Sequence, residues 1–542
     1  MVMKKRQWML LTITFSAGLL LLAGGILIAV KLLLSPENAS EAAAASYASG
    51  DSTIAIDKKD SSPFDLEYQE AIQSQLDALK SQTEFTLSSP LAVTDPFGTN
   101  TLSVYLYFQS DEPGFLTYTI TSEEAPDFTR TAYCAQENGT TEHEYQLIGL
   151  TPGCTNAILL QLTNADGTVI ERAELTVDAP DLRTEAAEKL DKTETGSNGM
   201  LADGLYFMLG SDNISATPVY DNDGYIRSEI ILDSYRTDRI EFRDGQMFYP
   251  VRADCIAAVS RLGKVEALYE LPGYEMHHDF VLDDSGDLLI LVSKDGEDTS
   301  EDRILRCSTA DGTVTELVDF GELLPDYVAA CSSESTPMDW LHLNSIDTTD
   351  DGGLILSSRE SSTIIKLADY QSEPRIEYLI ADESIWDSFS YSGLLLDKKG
   401  DFSSNAGQHC AIFQADESLP DGQYYLTLYN NNYGAMTTRP SYDWSNIPGV
   451  GGAEGEASMA YKYLVDENAG TYELVWSKEV VYSSIVSSTQ ELDNGNFVIN
   501  SGKAQQWQEC SADGETIAVF PYHVNSWCYR VFKFTLDGFW FQ

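Results

Sequence analysis

Positive charge is what this sequence has least of. Its 542 residues carry 33 Lys and Arg against 85 Asp and Glu, a formal net charge of -52. No nucleic acid is expected as a partner, because phosphate binding needs a basic face. The same field repels anions at long range, so an anionic substrate must be held by a local cluster of positive donors. Each arginine is therefore informative. Histidine is scarcer still, with six in the chain. The eight cysteines include no C-x-x-C pair, which argues against zinc-ribbon and thioredoxin chemistry. On spacing alone, Cys134 with Cys154 and Cys510 with Cys528 suit local bridges.

What is present begins with Lys4, Lys5 and Arg6, followed by an uncharged, mostly apolar stretch from Trp8 to Val30. As a helix those residues span about 34 Å, enough for a hydrocarbon core of about 30 Å. The stretch is too long for a cleavable signal, and no small-residue cleavage pattern closes it. The reading is a cytoplasmic tail over residues 1–7 and a transmembrane signal anchor over 8–34. The basic flank stays inside, so the rest of a single-pass cell-membrane protein faces the extracytoplasmic side.

Residues 35–84 read as a flexible stalk, rich in Ala, Ser and Asp, and then a short amphipathic helix at about 64–79. From 85 to 178, short alternating runs such as Leu102–Phe108 and Ala157–Leu162 predict a small β-sandwich of immunoglobulin or fibronectin type III character. Residues 179–200 are charged, end in Gly196-Ser-Asn-Gly199, and read as a helix and linker. From 201 to 542 a Gly turn followed at once by an apolar strand recurs at Gly224, Gly286, Gly352, Gly422 and Gly495, at intervals of 62, 66, 70 and 73. Such turns fit tight hairpins, because Gly takes positive φ without cost. A unit of four short strands occupies such a period. The expected fold is all-β: a β-propeller of five or six blades behind the sandwich, with Gly312, Gly514 and Gly538 in outer hairpins.

Four of the six histidines lie in three segments shortly before successive Gly turns: Met276-His277-His278-Asp279, Asp339-Trp340-Leu341-His342-Leu343-Asn344-Ser345, and Gly407-Gln408-His409. With Gly286 laid on Gly352, Asn344 falls on His278. Residues two apart on a strand share a face, so His278, His342, Asn344 and His409 are expected at one channel mouth. Arg359 follows Ser357-Ser358 at the end of the strand after Gly352.

These segments resemble, in order and approximate spacing, the signature of bacterial arylsulfate sulfotransferases. Trp-x-His-x-Asn-Ser with its following Ser-Ser-Arg is the specific part, and the resemblance extends over about residues 85 to 542. It implies a β-sandwich ahead of a six-bladed propeller catalytic domain. It implies transfer from an aryl sulfate donor to a phenolic acceptor without a nucleotide sulfate, by a ping-pong route through a sulfohistidine. Carried over by match, His409 is the nucleophile, with His278, His342 and Arg359 catalytic beside it and Asn344, His277 and Gln408 contacting substrate. No cofactor and no metal are implied, and a homo-oligomer is compatible with the resemblance.

The residues agree with that chemistry on their own terms. Sulfuryl transfer, like phosphoryl transfer, has a loose in-line transition state, so a protein mainly positions groups and neutralises charge. A neutral imidazole is a competent nucleophile near pH 7, and arginine's planar fork grips sulfonate oxygens. Two other readings stay open. One is a metal-dependent hydrolase built on the histidines with Asp279 and Asp339, against which an arginine in the site argues. The other is a non-enzymatic extracellular binding propeller.

Overall fold

Tight turns at Asp-Gly and Asn-Gly pairs organise this chain, and the conformation they demand is present. Gly286, Gly352, Gly422 and Gly495 have φ of +85°, +78°, +78° and +83°. The computed structural model describes residues 44–49, 52–57, 62–211, 215–434, 436–447, 450 and 457–542. Strand accounts for 48% and helix for 9%, which settles the class as all-β. The apolar segment from Trp8 to Val30, read as the anchor, lies outside the described residues. Among the described residues no helix is long and apolar enough to cross a membrane.

Helix α1 (Leu66–Gln82) starts where Asp65 caps it, accepting from the Glu67 N–H at 2.9 Å. It buries Tyr68, Ile72, Leu76 and Leu79 on one face. The eight-stranded sheet of this region is built on a long strand, Ser103–Thr121, whose register shifts between Gln109 and Gly114. Its first part pairs with Leu91–Thr94 and Thr140–Ile148, its second with Phe128–Thr131 and Thr155–Thr163. Residues 179–200 hold no helix. Their charged sequence has no apolar stripe to bury, and Thr193–Glu194 instead adds a strand along Ala518 and Val519.

Among the described residues six sheets lie between Thr193 and Phe534, antiparallel except where Asp397–Lys399 joins one edge in parallel, each led by one strand: β1 (Glu241–Arg243), β2 (Tyr274–Leu282), β3 (Leu343–Thr348), β4 (His409–Gln414), β5 (Ser488–Glu491) and β6 (Cys528–Phe534). Behind β1 to β5 the next three strands pair in sequence order, and the sheets led by β4 and β5 add a fifth at the far edge. The sheet led by β6 differs. This last strand pairs with Leu205–Ser211, so the two ends of the region share one sheet. Contacts run from β2 to β3, β3 to β4, β4 to β5 and β5 to β6.

Two turn assignments need correction. Gly224 joins Ala216–Tyr220 to Ile226–Ile231, an outer pair, and the turn equivalent to Gly286 is Asp244-Gly245, which joins β1 to its neighbour. Gly538 follows the last strand and lies in no hairpin, whereas Gly312 and Gly514 do join outer strands. All eight cysteines are free, so neither proposed bridge forms.

In inner strands such as Leu354–Ser358 alternating residues pack into different clusters, so both faces are buried. Leu354 and Leu356 pack with Leu289 and Leu291, while Ile355 between them packs with Leu426 and Leu428. Each such side chain contributes about 1.5–3 kcal/mol by burial.

Candidate active site

The histidine segments fall at β-bulges, which re-aim side chains that a regular strand would alternate. Ladder register shifts between Met276 and Phe280 on β2, Leu343 and Ser345 on β3, and His409 and Ile412 on β4. The backbone is left-handed at His278 (φ +59°), His342 (+50°) and Cys410 (+58°). Such conformations cost non-glycine residues about 1–3 kcal/mol each and gather at functional sites.

His278 and His342 meet through their Nε2 atoms at 3.4 Å. His278 stacks on Tyr529 of β6, with ring centroids 4.5 Å apart, and its Nδ1 lies 3.3 Å from Asp238 Oδ2. Asp238 in turn is held by Arg236 Nε at 2.9 Å. Burial, then the neighbouring His277, His342 and Arg236, keep the His278 imidazole neutral, well below the usual histidine range.

His342 is the opposite case. Its Nδ1 faces Glu301 Oε2 at 2.8 Å and also Asp339 Oδ2. Burial pushes its imidazolium down, but the two carboxylates outweigh that and raise it to about 9. His277 Nε2 pairs with the other oxygen of Glu301. One cationic and one neutral imidazole thus stand in contact, the condition for moving a proton near neutral pH.

His409 has a defined tautomer. The Asn431 amide donates to the Ser483 and Val486 carbonyls, at 2.7 and 3.0 Å, which turns its Oδ1 toward His409 Nδ1 at 2.9 Å. Gly407 O lies 3.1 Å from the same nitrogen. With two acceptors there, Nδ1 carries the hydrogen and Nε2 the lone pair, which accepts the Val486 N–H at 3.2 Å. Burial, then Arg359, holds this imidazole well below the usual range, so it is neutral.

Arg359 sits opposite His342, its N–H donating to the His342 carbonyl at 3.1 Å. Among the described residues its guanidinium pairs with no carboxylate, and its Nε is buried without a hydrogen-bond partner. Asn344 donates to the Gln408 carbonyl at 2.8 Å, and its own buried Oδ1 accepts nothing. The Gln408 side chain points away from His409, as the next residue on a strand should. Its amide donates to Ser357 Oγ, Ser358 O and Thr363 O and accepts from Asn405.

Four participants were not legible as site residues: Glu301, Asp238, Tyr529 and Arg530. Arg530 and Asp279, both fully buried, form two bonds of 2.8 Å, and Asp279 Oδ2 also accepts the Ile346 N–H at 3.0 Å. Tyr529 OH donates to the Asn344 carbonyl at 2.6 Å. The last strand thereby locks the histidine-bearing strands together. No spacing rule could connect residues some 250 positions apart.

His277, His278 and Glu301, and likewise Glu301, Asp339 and His342, have nitrogen and oxygen donors close enough to hold a divalent ion. Near the Gly-turn ends of β3 and β4, a cavity of about 330 Å³ is lined by Asp351, Lys366, Tyr424 and Glu467. The Lys366 ammonium, 2.9 Å from Asp351, already serves as the cation among those acids.

Solved structures resembling the chain include a protein of unknown function from Bacteroides caccae, at 10% identity and a TM-score of 0.35, covering 61% of this chain and 98% of that one. Another is an inactive variant of virginiamycin B lyase from Staphylococcus aureus with quinupristin, at 10% identity and a TM-score of 0.34, covering 62% and 90%. Similarity this low carries no functional argument. No curated protein matches. The family comparison is decisive: the arylsulfotransferase (ASST) profile matches residues 191–526, more than half of the chain, and the arylsulfotransferase Ig-like domain matches 91–180. The chain therefore belongs to the arylsulfotransferase family and is an enzyme of that class.

Proposed function

We propose that the chain transfers a sulfuryl group from an aryl sulfate to a phenol through a sulfohistidine at His409. The observation that carries this reading is the division of labour among the imidazoles. His409 presents a neutral Nε2 lone pair, His342 is protonated, and the Arg359 guanidinium, without a carboxylate partner among the described residues, stands by for an anion.

In the first half-reaction His409 Nε2 attacks sulfur, the sulfur–aryl oxygen bond breaks, and the electron pair leaves on the phenolate oxygen. The His342 imidazolium supplies the proton that turns this phenolate into phenol. The Val486 N–H that His409 releases then faces the sulfuryl oxygens together with Arg359, which neutralises charge where it accumulates. In the second half, the acceptor phenol returns its proton to His342. Its oxygen attacks sulfur, and the nitrogen–sulfur bond breaks back onto Nε2. Every proton and electron pair is restored without a nucleotide donor.

The six sheets are read as the blades of a propeller with β1 to β6 around the axis. Sequence-order meanders, contacts between successive leading strands and the shared first-and-last sheet support that arrangement. The segment from Trp8 to Val30 is proposed as a signal anchor that holds the catalytic domain outside the membrane.

Phenyl sulfate mixed with enzyme in the absence of acceptor should release phenol in a burst close to one per site. Added acceptor should then give parallel-line kinetics. Turnover that requires both substrates to be bound together would contradict the two-step route.

A further inference from the structure

Two successive residues in the turn between Thr471–Val481 and β5 are left-handed, Val486 at φ +56° and Ser487 at φ +92°. Valine is poorly suited to that region, because its branched side chain crowds the backbone there. Such residues keep the conformation only when their surroundings impose it. Here the surroundings are a buried set of hydrogen bonds. The Ser487 N–H donates to the Tyr529 carbonyl at 3.0 Å, and Ser487 Oγ donates to Ser483 Oγ at 2.9 Å while accepting the Gly502 N–H at 3.0 Å. Ser483 Oγ also accepts the Lys503 N–H at 2.9 Å, and the Ser483 N–H donates to Ser458 Oγ at 3.0 Å. All three serines are fully buried. Held in this way, the Val486 N–H points at His409 Nε2 from 3.2 Å.

Asn431 joins this turn to the imidazole. It follows Gln423–Asn430, the strand that pairs with β4 and sets Tyr429 opposite His409, and it is fully buried. Both hydrogens of its side-chain amide are used on the turn, at Ser483 O (2.7 Å) and Val486 O (3.0 Å). Its own backbone carbonyl accepts Ser458 Oγ at 3.1 Å, which ties it to the same serine set. A reversed amide would press its oxygen against two carbonyls, so the bonding leaves Oδ1 as the atom that faces His409 Nδ1 at 2.9 Å. Gly407 O shares that hydrogen at 3.1 Å, from β4's own segment and not from the turn.

We propose that Asn431 is a positioning residue for the transfer: one buried amide holds the His409 ring through Nδ1 and the Val486–Ser487 turn through two carbonyls, and so aims the Nε2 lone pair and the Val486 N–H at the same sulfuryl group. The inference rests on the reading above in which His409 is the nucleophile. The bonds of Asn431 go to His409, Ser458, Ser483 and Val486, whereas Arg359 is held from the His342 carbonyl. Losing Asn431 therefore slows the attack on sulfur and leaves the grip of Arg359 on the anion in place.

The test uses the full chain, mixed rapidly with phenyl sulfate and quenched. Asn431→Leu, close in volume and without an amide, should lower the rate constant of the phenol burst by about 10²-fold, with an amplitude still close to one per site and the donor concentration for half-maximal burst rate within about threefold of wild type. Uniform 15N labelling gives a readout that needs no turnover. In the wild type the His409 ring should carry its hydrogen on Nδ1, and Nε2 should show a scalar coupling to the Val486 amide nitrogen across their hydrogen bond, assigned by its loss in His409→Gln. That coupling should vanish in Asn431→Leu.

A side chain that serves only the fold would lower the melting temperature and the burst amplitude together and leave the rate constant of the folded fraction unchanged, and that result overturns the proposal. So does a burst rate within about threefold of wild type, a coupling retained in Asn431→Leu, or a wild-type ring with its hydrogen on Nε2. Asn431→Ser is read by the same outcomes if the Leu variant does not fold. If the wild type turns over no aryl sulfate, or takes its label elsewhere than His409, while the coupling still depends on Asn431, the nucleophile reading fails and the hold of Asn431 on ring and turn stands.

Discussion

Arg359 is unusual in a chain with 85 acidic residues, because among the described ones no carboxylate pairs with it. Its neighbour Glu360 is spent on Thr437 and Thr438, which it accepts at 2.9 and 2.7 Å. An arginine without a carboxylate partner among the described residues, beside a neutral imidazole, is suited to an anionic substrate. Arg359→Ala should therefore lower kcat/KM for an aryl sulfate by about 10²-fold or more, with little change in melting temperature. Lysine should rescue part of it, lacking the bidentate fork. Unchanged turnover would remove Arg359 from the site, and parallel losses of stability and activity would make it structural. At this scale the sequence singled out His278, His342, Arg359 and His409, and the fold brings His278 and His342 into contact. It was silent about Glu301 and Tyr529, because each enters from a strand or loop whose local sequence has no metal, nucleophile or turn signature. Gln408, expected at the substrate, has its side chain turned to Ser357, Ser358 and Thr363, on the face opposite its neighbour His409.

Elements explain why counting from Gly turns held partway for two segments and drifted for the third. Phe280 of β2 pairs with Ile290 and Ile346 of β3 with Leu356, so the count from the Gly turns holds as far as those residues; beyond them the two bulges differ, Met276 pairing with Val292 but Leu343 with Ser358, one residue out of step. In β4 the longer connection to Gly422 breaks that count, and a bulge after His409 re-aims the strand. Bulges cannot be read from period-two patterning, because the extra residue looks like any other polar position. The same limit hid the role of β6. Its Arg530 reaches Asp279 on β2 with neither side chain exposed, so losing one partner leaves a buried charge. Arg530→Met should destabilise the fold by about 3–5 kcal/mol, and adding Asp279→Asn should recover part of that loss. Urea unfolding of the two variants decides. Additive losses would show that the pair is not coupled.

At the scale of the whole molecule, a net charge of -52 and an anionic substrate are reconciled only if the positive groups are concentrated where sulfate binds. Around β2, β3 and β4 Arg236 is paired with Asp238 and His342 faces Glu301 and Asp339, which leaves Arg359, without a carboxylate partner among the described residues, as the charge available to a sulfate. The all-β class and the turn-linked strands were legible from composition and the Gly repeat. The closure of the first sheet by the last strand was not, since it joins residues more than 300 positions apart. The proposed anchor predicts that full-length protein stays with the membrane fraction and that protease added to intact cells removes the large domain. Protection from that protease would contradict it. The central claim concerns one nitrogen atom, and one measurement addresses it. Enzyme quenched during the phenol burst should carry one sulfuryl group on the peptide containing His409, and His409→Ala should lose both burst and label, while His278→Ala or His342→Ala only slows them. Label retained by His409→Ala, or found on His278 or His342, would contradict the account.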